Sequence, residues 1–382
     1  FRITVKALRF CAVILLALIT VACSGSQRRE AVELPESVLK VSLDKIWSQS
    51  LGDPRGGTLS PVGADDGRVC GASAYSVFCF QGDSGREIYE IVFDQKISGG
   101  LGVANAEIFL GGEDGMVGLI DPTGVVKWQS NIRNSVMGAP MAVGQTVIVR
   151  DVQGRLVGLD RETGAFKWDF QAPSQSLILR SNPGISAGHS DTVVVGFHGG
   201  IAMHLDSESG EVRWSVNVSI ASGDNELERI SDVVGTPIVL ENMVCMATFQ
   251  GRAACFDLET GRRNWSIQTS AVGSLGFDDE RIFVSDEAGY VMALDRGTGA
   301  VLWRNESFKY RKITGPTVLG PWVMVGDLDG IVSVLSASDG SYVGRAKTDG
   351  SEILTNPIVI DDNMFVQTSK GNLYTFAADQ NF

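Results

Sequence analysis

Histidine is scarce in this chain, with His189, His198 and His204 the three in 382 residues. Their spacing builds no zinc site, and no Ser/His/Asp set stands out around them. All three read as structural or solvated, and no metal or catalytic residue is expected. The pattern Asp327-Leu328-Asp329-Gly330 opens like a calcium loop, but no acidic residue twelve positions along completes it. It matches the place of Gly112-Glu113-Asp114-Gly115 and reads as a hairpin turn. Long apolar runs are missing as well: the longest, Phe10 to Val21, has 12 residues, where a membrane-spanning helix needs roughly 20. Long helical periodicity is absent, which argues against a helical fold. Positive charge is short, with 32 Lys and Arg against 45 Asp and Glu and a net charge of −13. Such a chain is a poor candidate for binding phosphate backbones, and its partners are expected to be proteins.

What the sequence has in quantity is one phrase, repeated. A short strand led by Gly reaches an Asp, a tight turn closes on a second Gly, and a Trp follows four residues later. Asp160, Gly164 and Trp168 are one copy; Asp206, Gly210 and Trp214, then Asp257, Gly261 and Trp265, then Asp295, Gly299 and Trp303 are others. Asp121, Gly124 and Trp128 form a copy one residue shorter, Gly85 and Tyr89 a degraded one, and Gly340 is followed by Gly344 where Trp belongs. The turn glycines stand 38 to 51 residues apart. With four strand-like segments per unit, that period predicts a β-propeller. Apolar runs such as Arg281–Ser285, rich in β-branched residues, precede each phrase, and Thr236-Pro237 or Asn356-Pro357 open units where a ladder hydrogen bond is not needed. One blade cannot bury both faces of its sheet, so the Trp rings are expected to pack between neighbouring blades.

Eight third strands are legible, at 75–80, 115–121, 154–160, 199–206, 251–257, 289–295, 330–336 and 371–377, but only seven are followed by an outer strand. Lys45-Ile46-Trp47-Ser48-Gln49 is a Trp strand with no third strand before it. The expectation is therefore an all-β, eight-bladed propeller of four-stranded antiparallel blades over 43–382, with the N-terminal strand completing the last blade and removing a free edge.

Residues 1–23 are of another kind. Arg2, Lys6 and Arg9 precede the apolar run, which ends at Thr20-Val21-Ala22-Cys23, a secretory signal whose cleavage region resembles a bacterial lipobox. Acylation is expected at Cys23, and residues 24–42 read as a flexible polar tether. Losing residues 1–23 removes three positive charges and no negative ones, taking −13 to −16. After Cys11 and Cys23, four cysteines remain. Cys79 and Cys255 hold equivalent places six residues before a turn Gly, and Cys70 and Cys245 lie on the preceding strands. Each pair can face across a hairpin, and an exported protein permits a disulfide; four small buried thiols are the other reading.

Connector lengths depart from the repeat. From the outer-strand Trp to the Pro opening the next blade takes 12 residues after Trp128 and 13 after Trp303, but 15 from Trp168 to Pro183 and 23 from Trp214 to Pro237. In an up-and-down blade all such connectors emerge on one face, so these two consecutive loops are expected to be neighbours on one rim. The first carries Ser176-Leu177-Ile178-Leu179-Arg180 and the second Asn225 to Val233. Apolar side chains with an Arg and acids on adjacent loops suit a protein-docking patch; Leu177 and Leu179 as mere cover for the propeller's side is the alternative.

The phrase Asp-x-x-x-Gly-x-x-x-Trp resembles the PQQ-like propeller repeat of the quinoprotein dehydrogenases, and a periplasmic PQQ-dependent dehydrogenase is the alternative function this implies. The adjacent cysteines of many such enzymes and a Cys-x-x-Cys-His haem site are absent here. With the lipoprotein signal, Ser-Leu-x-Leu-Arg ahead of blade 4 and Ser231-Asp232-Val233 ahead of Thr236-Pro237, the chain resembles the BamB family over nearly its whole length, roughly 43–382. That resemblance implies a non-enzymatic, cofactor-free lipoprotein scaffold of the outer-membrane β-barrel assembly machinery, the BAM complex, on the periplasmic face of the outer membrane; Ser24 after the Cys agrees with outer-membrane sorting. It implies binding to the POTRA domains of BamA through Leu177, Leu179, Arg180 and Asp232, and action on nascent outer-membrane proteins. The family's second Asp, two residues after the first, is Val234 here.

Overall fold

A computed structural model describes residues 30–35, 40–52, 60–64, 66–172, 184–220 and 231–378. Among them, thirty-two strands form eight separate four-stranded antiparallel sheets, each ordered from an inner strand A to an outer strand D. Blade 3 shows the plan: Met141–Val143, Thr146–Arg150, Arg155–Asp160 and Phe166–Gln171. The B and C strands are buried on both faces, as Thr146–Arg150 and Met116–Ile120 are, which is why they read as unbroken β-branched and aliphatic runs. The core is divided among the seams: Ile148, Leu156 and Trp168 of blade 3 pack with Val193, Val195 and Leu205 of blade 4 in one cluster.

Blade 8 takes its A, B and C strands from the C-terminal end, Ile358–Ile360, Asn363–Gln367 and Asn372–Ala378, and its D strand from Leu43–Ser50. The closing strand runs antiparallel to its neighbour, Leu43 opposite Ala378 and Ser50 opposite Asn372. Its register shifts between Lys45 and Trp47, so that Trp47 faces Thr375. The same bulge precedes the Trp of the ordinary D strands: Phe166 faces Leu159, Lys167 is the extra residue, and Trp168 faces Gly158. The closing strand is thus built as a D strand despite coming from the opposite end of the chain.

The repeated phrase is an inter-blade clasp. Each Trp donates its indole N–H to a backbone carbonyl of the next blade: Trp47 to Gly82, Trp128 to Arg161, Trp168 to Ser207, Trp214 to Leu258, Trp265 to Arg296 and Trp303 to Ala337, all at 2.7–2.9 Å. The ring then lies on that blade's turn Gly. A Cβ on Gly210 would stand 2.6 Å from Trp168, and one on Gly299 2.5 Å from Trp265. Gly210 has φ +74° besides, so glycine is required for both space and backbone. The exception at Gly344 has a cause. Blade 8 has no C–D turn for a Trp there to clasp, and the N-terminal segment crosses instead: Lys40 N–H donates to the Val343 carbonyl at 2.8 Å, and Val41 bridges to Gly344. A side chain at 344 would meet the Val41 carbonyl at 2.6 Å.

Part of the segment expected as a tether also lies on the propeller. Leu34 and Val41 are buried in apolar clusters of blades 6, 7 and 8, because these two aliphatic side chains find sites there. Cys23 lies outside the described residues. Cys70 stands directly opposite Cys79, and Cys245 opposite Cys255, on B and C strands. Both pairs are joined as disulfides with Cα atoms 4.1 Å apart. Among the described residues no helix is long and apolar enough to cross a membrane.

Candidate partner-docking rim

The connectors from D strands to the next A strands share a face with the B–C turns, and the two long ones flank blade 4. Leu177, Leu179 and Arg180 lie outside the described residues, as does 221–230. The described structure is the footing of the second loop, whose described ends are residues 218–220 and 231–232. It is built around the B–C turn Phe197-His198-Gly199-Gly200, which follows the strand Thr192–Gly196.

In blades 3, 6 and 7 the B–C turn opens on an Asp that accepts the turn's own amides. Asp151 accepts from the N–H of Gln153 and Arg155, Asp286 from Tyr290, and Asp327 from Asp329 and Ile331. Blade 4 has Phe197 at that place. The missing carboxylate comes from the loop instead: Asp232 Oδ1 accepts the Gly199 N–H at 2.8 Å, as Asp151 accepts that of Gln153. Asp232 Oδ2 lies 3.2 Å from His198 Nδ1, and the Asp232 carbonyl accepts from Phe249 N–H.

Asp232 was expected to face a partner from its loop. Its side chain is instead 1% exposed and spends hydrogen bonds within the chain. Its part in this structure is to fasten the exit of the 221–230 connector to blade 4. Val234, at the place of the family's second Asp, is buried in the apolar seam with Cys245 and Ala247. A carboxylate there would be desolvated without a partner, which is the physical reason an aliphatic residue suits the site.

The entry of the same connector is pinned to the same turn. Val218 N–H donates to the Gly200 carbonyl at 2.8 Å. A Cβ on Gly200 would meet the Ser219 carbonyl at 2.7 Å and the Ser231 carbonyl at 2.9 Å, so both feet of the loop close on one glycine. Arg150, at the end of the blade 3 B strand, ties in the third blade. It is buried, donates Nη1–H to the Gly196 carbonyl at 2.8 Å, and lies 4.9 Å over the Phe197 ring. Burial pulls its guanidinium down to about 10, against the opposing charges of Asp151 and Asp232, so it stays cationic at neutral pH. A buried Arg and a buried carboxylate therefore tie blades 3, 4 and 5 together at the feet of the second connector. Above them Ile220 is 79% exposed. Among the described residues no cluster of His, Cys, Asp and Glu could hold a metal ion.

Arg150, Phe197 and His198 were not anticipated as site residues. A signal for them existed: blade 4 breaks the turn pattern Asp-x-x-Gly seen at Asp151, Asp286 and Asp327.

The comparisons with known proteins follow this geometry. The family model for the outer membrane protein assembly factor BamB matches residues 40–305 and 288–380. The chain belongs to the BamB family. It is 32% identical over 361 residues to the assembly factor BamB of Burkholderia pseudomallei, covering 94% of this chain and 95% of that one. The Bordetella pertussis BamB is 30% identical, covering 93% and 92%. The crystal structure of BamB from Moraxella catarrhalis superposes with a TM-score of 0.81 at 28% identity, over 88% of this chain and all of that one. A quinohemoprotein alcohol dehydrogenase from Comamonas testosteroni, at 14% identity and a TM-score of 0.70, shares the fold alone. In this chain the PQQ-like repeat is thus a packing device, the Trp–Gly clasp, and its presence does not imply the enzyme's chemistry.

Proposed function

We propose that this chain is a non-catalytic scaffold of outer-membrane protein assembly. In this reading acylated Cys23 holds it at the periplasmic face of the outer membrane, and the rim of blades 3 to 5 docks on the POTRA domains of BamA. Membership of the BamB family supports the assembly role. The observation that supports the docking surface is the footing of the second connector: Asp232 at its exit and Val218 at its entry both bond to the blade 4 turn, to which Arg150 ties blade 3. A loop held rigidly at both feet loses less entropy on binding than a free one. Leu177 and Leu179 supply the apolar anchor and Arg180 the charge, while Asp232 positions the neighbouring loop. Nascent β-barrel proteins would be the cargo that the scaffold helps present.

The test is co-purification of the full chain with BamA. Arg180→Ala and the double Leu177→Ala/Leu179→Ala are expected to abolish recovery while the circular dichroism spectrum and melting curve stay those of the wild type. A desolvated interfacial charge costs about 2–5 kcal/mol when its counterpart is truncated. Wild-type recovery of BamA by both variants would overturn this surface. Asp232→Asn, which keeps an acceptor for the Gly199 N–H, is expected to retain more binding than Asp232→Ala.

A further inference from the structure

The N-terminal segment is clasped by one connector. Between blades 6 and 7 the chain runs Glu306-Ser307-Phe308-Lys309-Tyr310-Arg311-Lys312-Ile313. Val32 N–H donates to the Lys309 carbonyl at 3.1 Å, and Arg311 Nη1–H donates to the Val32 carbonyl at 2.9 Å. Leu34 is 8% exposed, packed among Phe283, Phe308 and Ile313. Arg311 is itself held, with Nε to Asp327 Oδ2 and Nη2 to Asp329 Oδ2, both at 2.7 Å. A buried, doubly paired Arg that gives its remaining nitrogen to the backbone of residue 32 is a built receptor for that segment.

We propose that residues 30–35 form a docked strap, and that it brings the acylated N-terminus out at the connector rim between blades 6 and 7, so that this edge of the ring is the one held against the bilayer. The lipid half of this proposal rests on acylation of Cys23; the strap does not. Length decides the consequence. A tether free from Cys23 to Leu43 would reach about 70 Å when extended, but one pinned at residue 30 reaches only about 25 Å. A reach that short holds one edge near the headgroups, where a free tether would let the propeller tumble. Connector residues Lys312 and Tyr310 are exposed at that edge, the second an aromatic suited to an interface. The docking rim of blades 3 to 5 lies on the same face and begins at the blade next to blade 6.

Two measurements on the full chain test this. In the soluble Cys23→Ser form, hydrogen exchange at the Val32 amide is expected to be slowed at least about tenfold relative to the same amide in Cys23→Ser/Leu34→Asp. Equal, fast exchange in both overturns the strap. In the acylated form, a fluorophore is placed at Lys312→Cys or, on the opposite face in blade 2, at Val125→Cys. The protein is bound to phosphatidylethanolamine and phosphatidylglycerol vesicles carrying a headgroup nitroxide. Quenching is expected to be stronger at 312 than at 125, and Leu34→Asp is expected to reduce that difference. Equal quenching with a slow Val32 amide overturns the membrane orientation and leaves the strap. No acyl label on Cys23 overturns the anchor in the proposed function and the membrane half here, and exchange still decides the strap by itself.

Discussion

At the scale of single residues, the repeated glycines do two different jobs, and substitution separates them. Gly154 has φ +77° with nothing within 4 Å of an added Cβ, so Gly154→Ala is expected to cost only the left-handed backbone term, about 1–2 kcal/mol. Gly210 has φ +74° and Trp168 at 2.6 Å, which adds an overpacking cost of about 1–3 kcal/mol. Denaturant midpoints of the two variants measure the difference, and equal losses would mean that the Trp–Gly contact carries no strain. Asp232 is legible by the same logic. Its value lies in replacing the turn carboxylate that Phe197 displaced, so Asp232→Ala leaves the Gly199 N–H without that acceptor. Val234→Asp is expected to destabilise the protein, because burial of an unpaired carboxyl opposes any gain at a binding surface.

At the scale of elements, the closing strand matters most. Leu43–Ser50 pairs along the whole C strand of blade 8, and Trp47 packs against Phe80 and Phe365 with its N–H on Gly82 of blade 1. Trp47→Ala is expected to cost about 3–5 kcal/mol, and deletion of residues 43–50 to lose the cooperative transition altogether, as seen by calorimetry. An unchanged melting curve after the deletion would show that blade 8 closes without this strand. The disulfides brace hairpins rather than the ring, since each joins B and C strands of one blade across 9 or 10 residues. Chain entropy puts the loss from the double substitution Cys245→Ala/Cys255→Ala at about 2–3 kcal/mol. Mass shifts after alkylation with and without reductant report the bonds directly.

For the whole molecule, the ring repeats one electrostatic device. Asp121 is held down to about 2 by the Thr123 hydroxyl and the Val125 amide. Asp160, Asp257 and Asp295 are lowered in the same way, first by the hydroxyls of Thr163, Thr260 and Thr298. A carboxyl whose folded pKa lies below its unfolded one stabilises the fold above the unfolded value, and that stability is lost as pH falls through the folded value. These turns therefore predict a loss of stability as pH falls below about 4, the Asp121 contribution being lost by about pH 2. His204 acts earlier. Burial lowers its pKa, so the unfolded chain binds the proton first and stability declines as pH falls below about 6.5. Melting temperatures from pH 7 to pH 2 are expected to show both limbs, with His204→Phe flattening the upper one and Asp121→Asn easing the lower.

Much of this was determined by the sequence alone, because a propeller repeats one local solution. Strand C of blades 2 to 6 is marked by its Asp and turn Gly, the missing eighth outer strand by the stray Trp47, and the ring's closure by counting. The glycines at 164, 210 and 299 are required wherever a Trp of the preceding blade arrives, so the phrase records a contact between blades in consecutive letters. Other features joined residues distant along the chain, and no local pattern encodes such pairs. Gly344 looked like a decayed copy until Val41, some 300 residues earlier, was found lying across it. Asp232 looked like a surface acid until the turn it serves, 33 residues back, brought it inside. Val32 and Leu34 looked like tether until Arg311 and Phe308 supplied a site for them. Burial is a property of what surrounds a side chain, and only the closed ring decides which distant segments become neighbours.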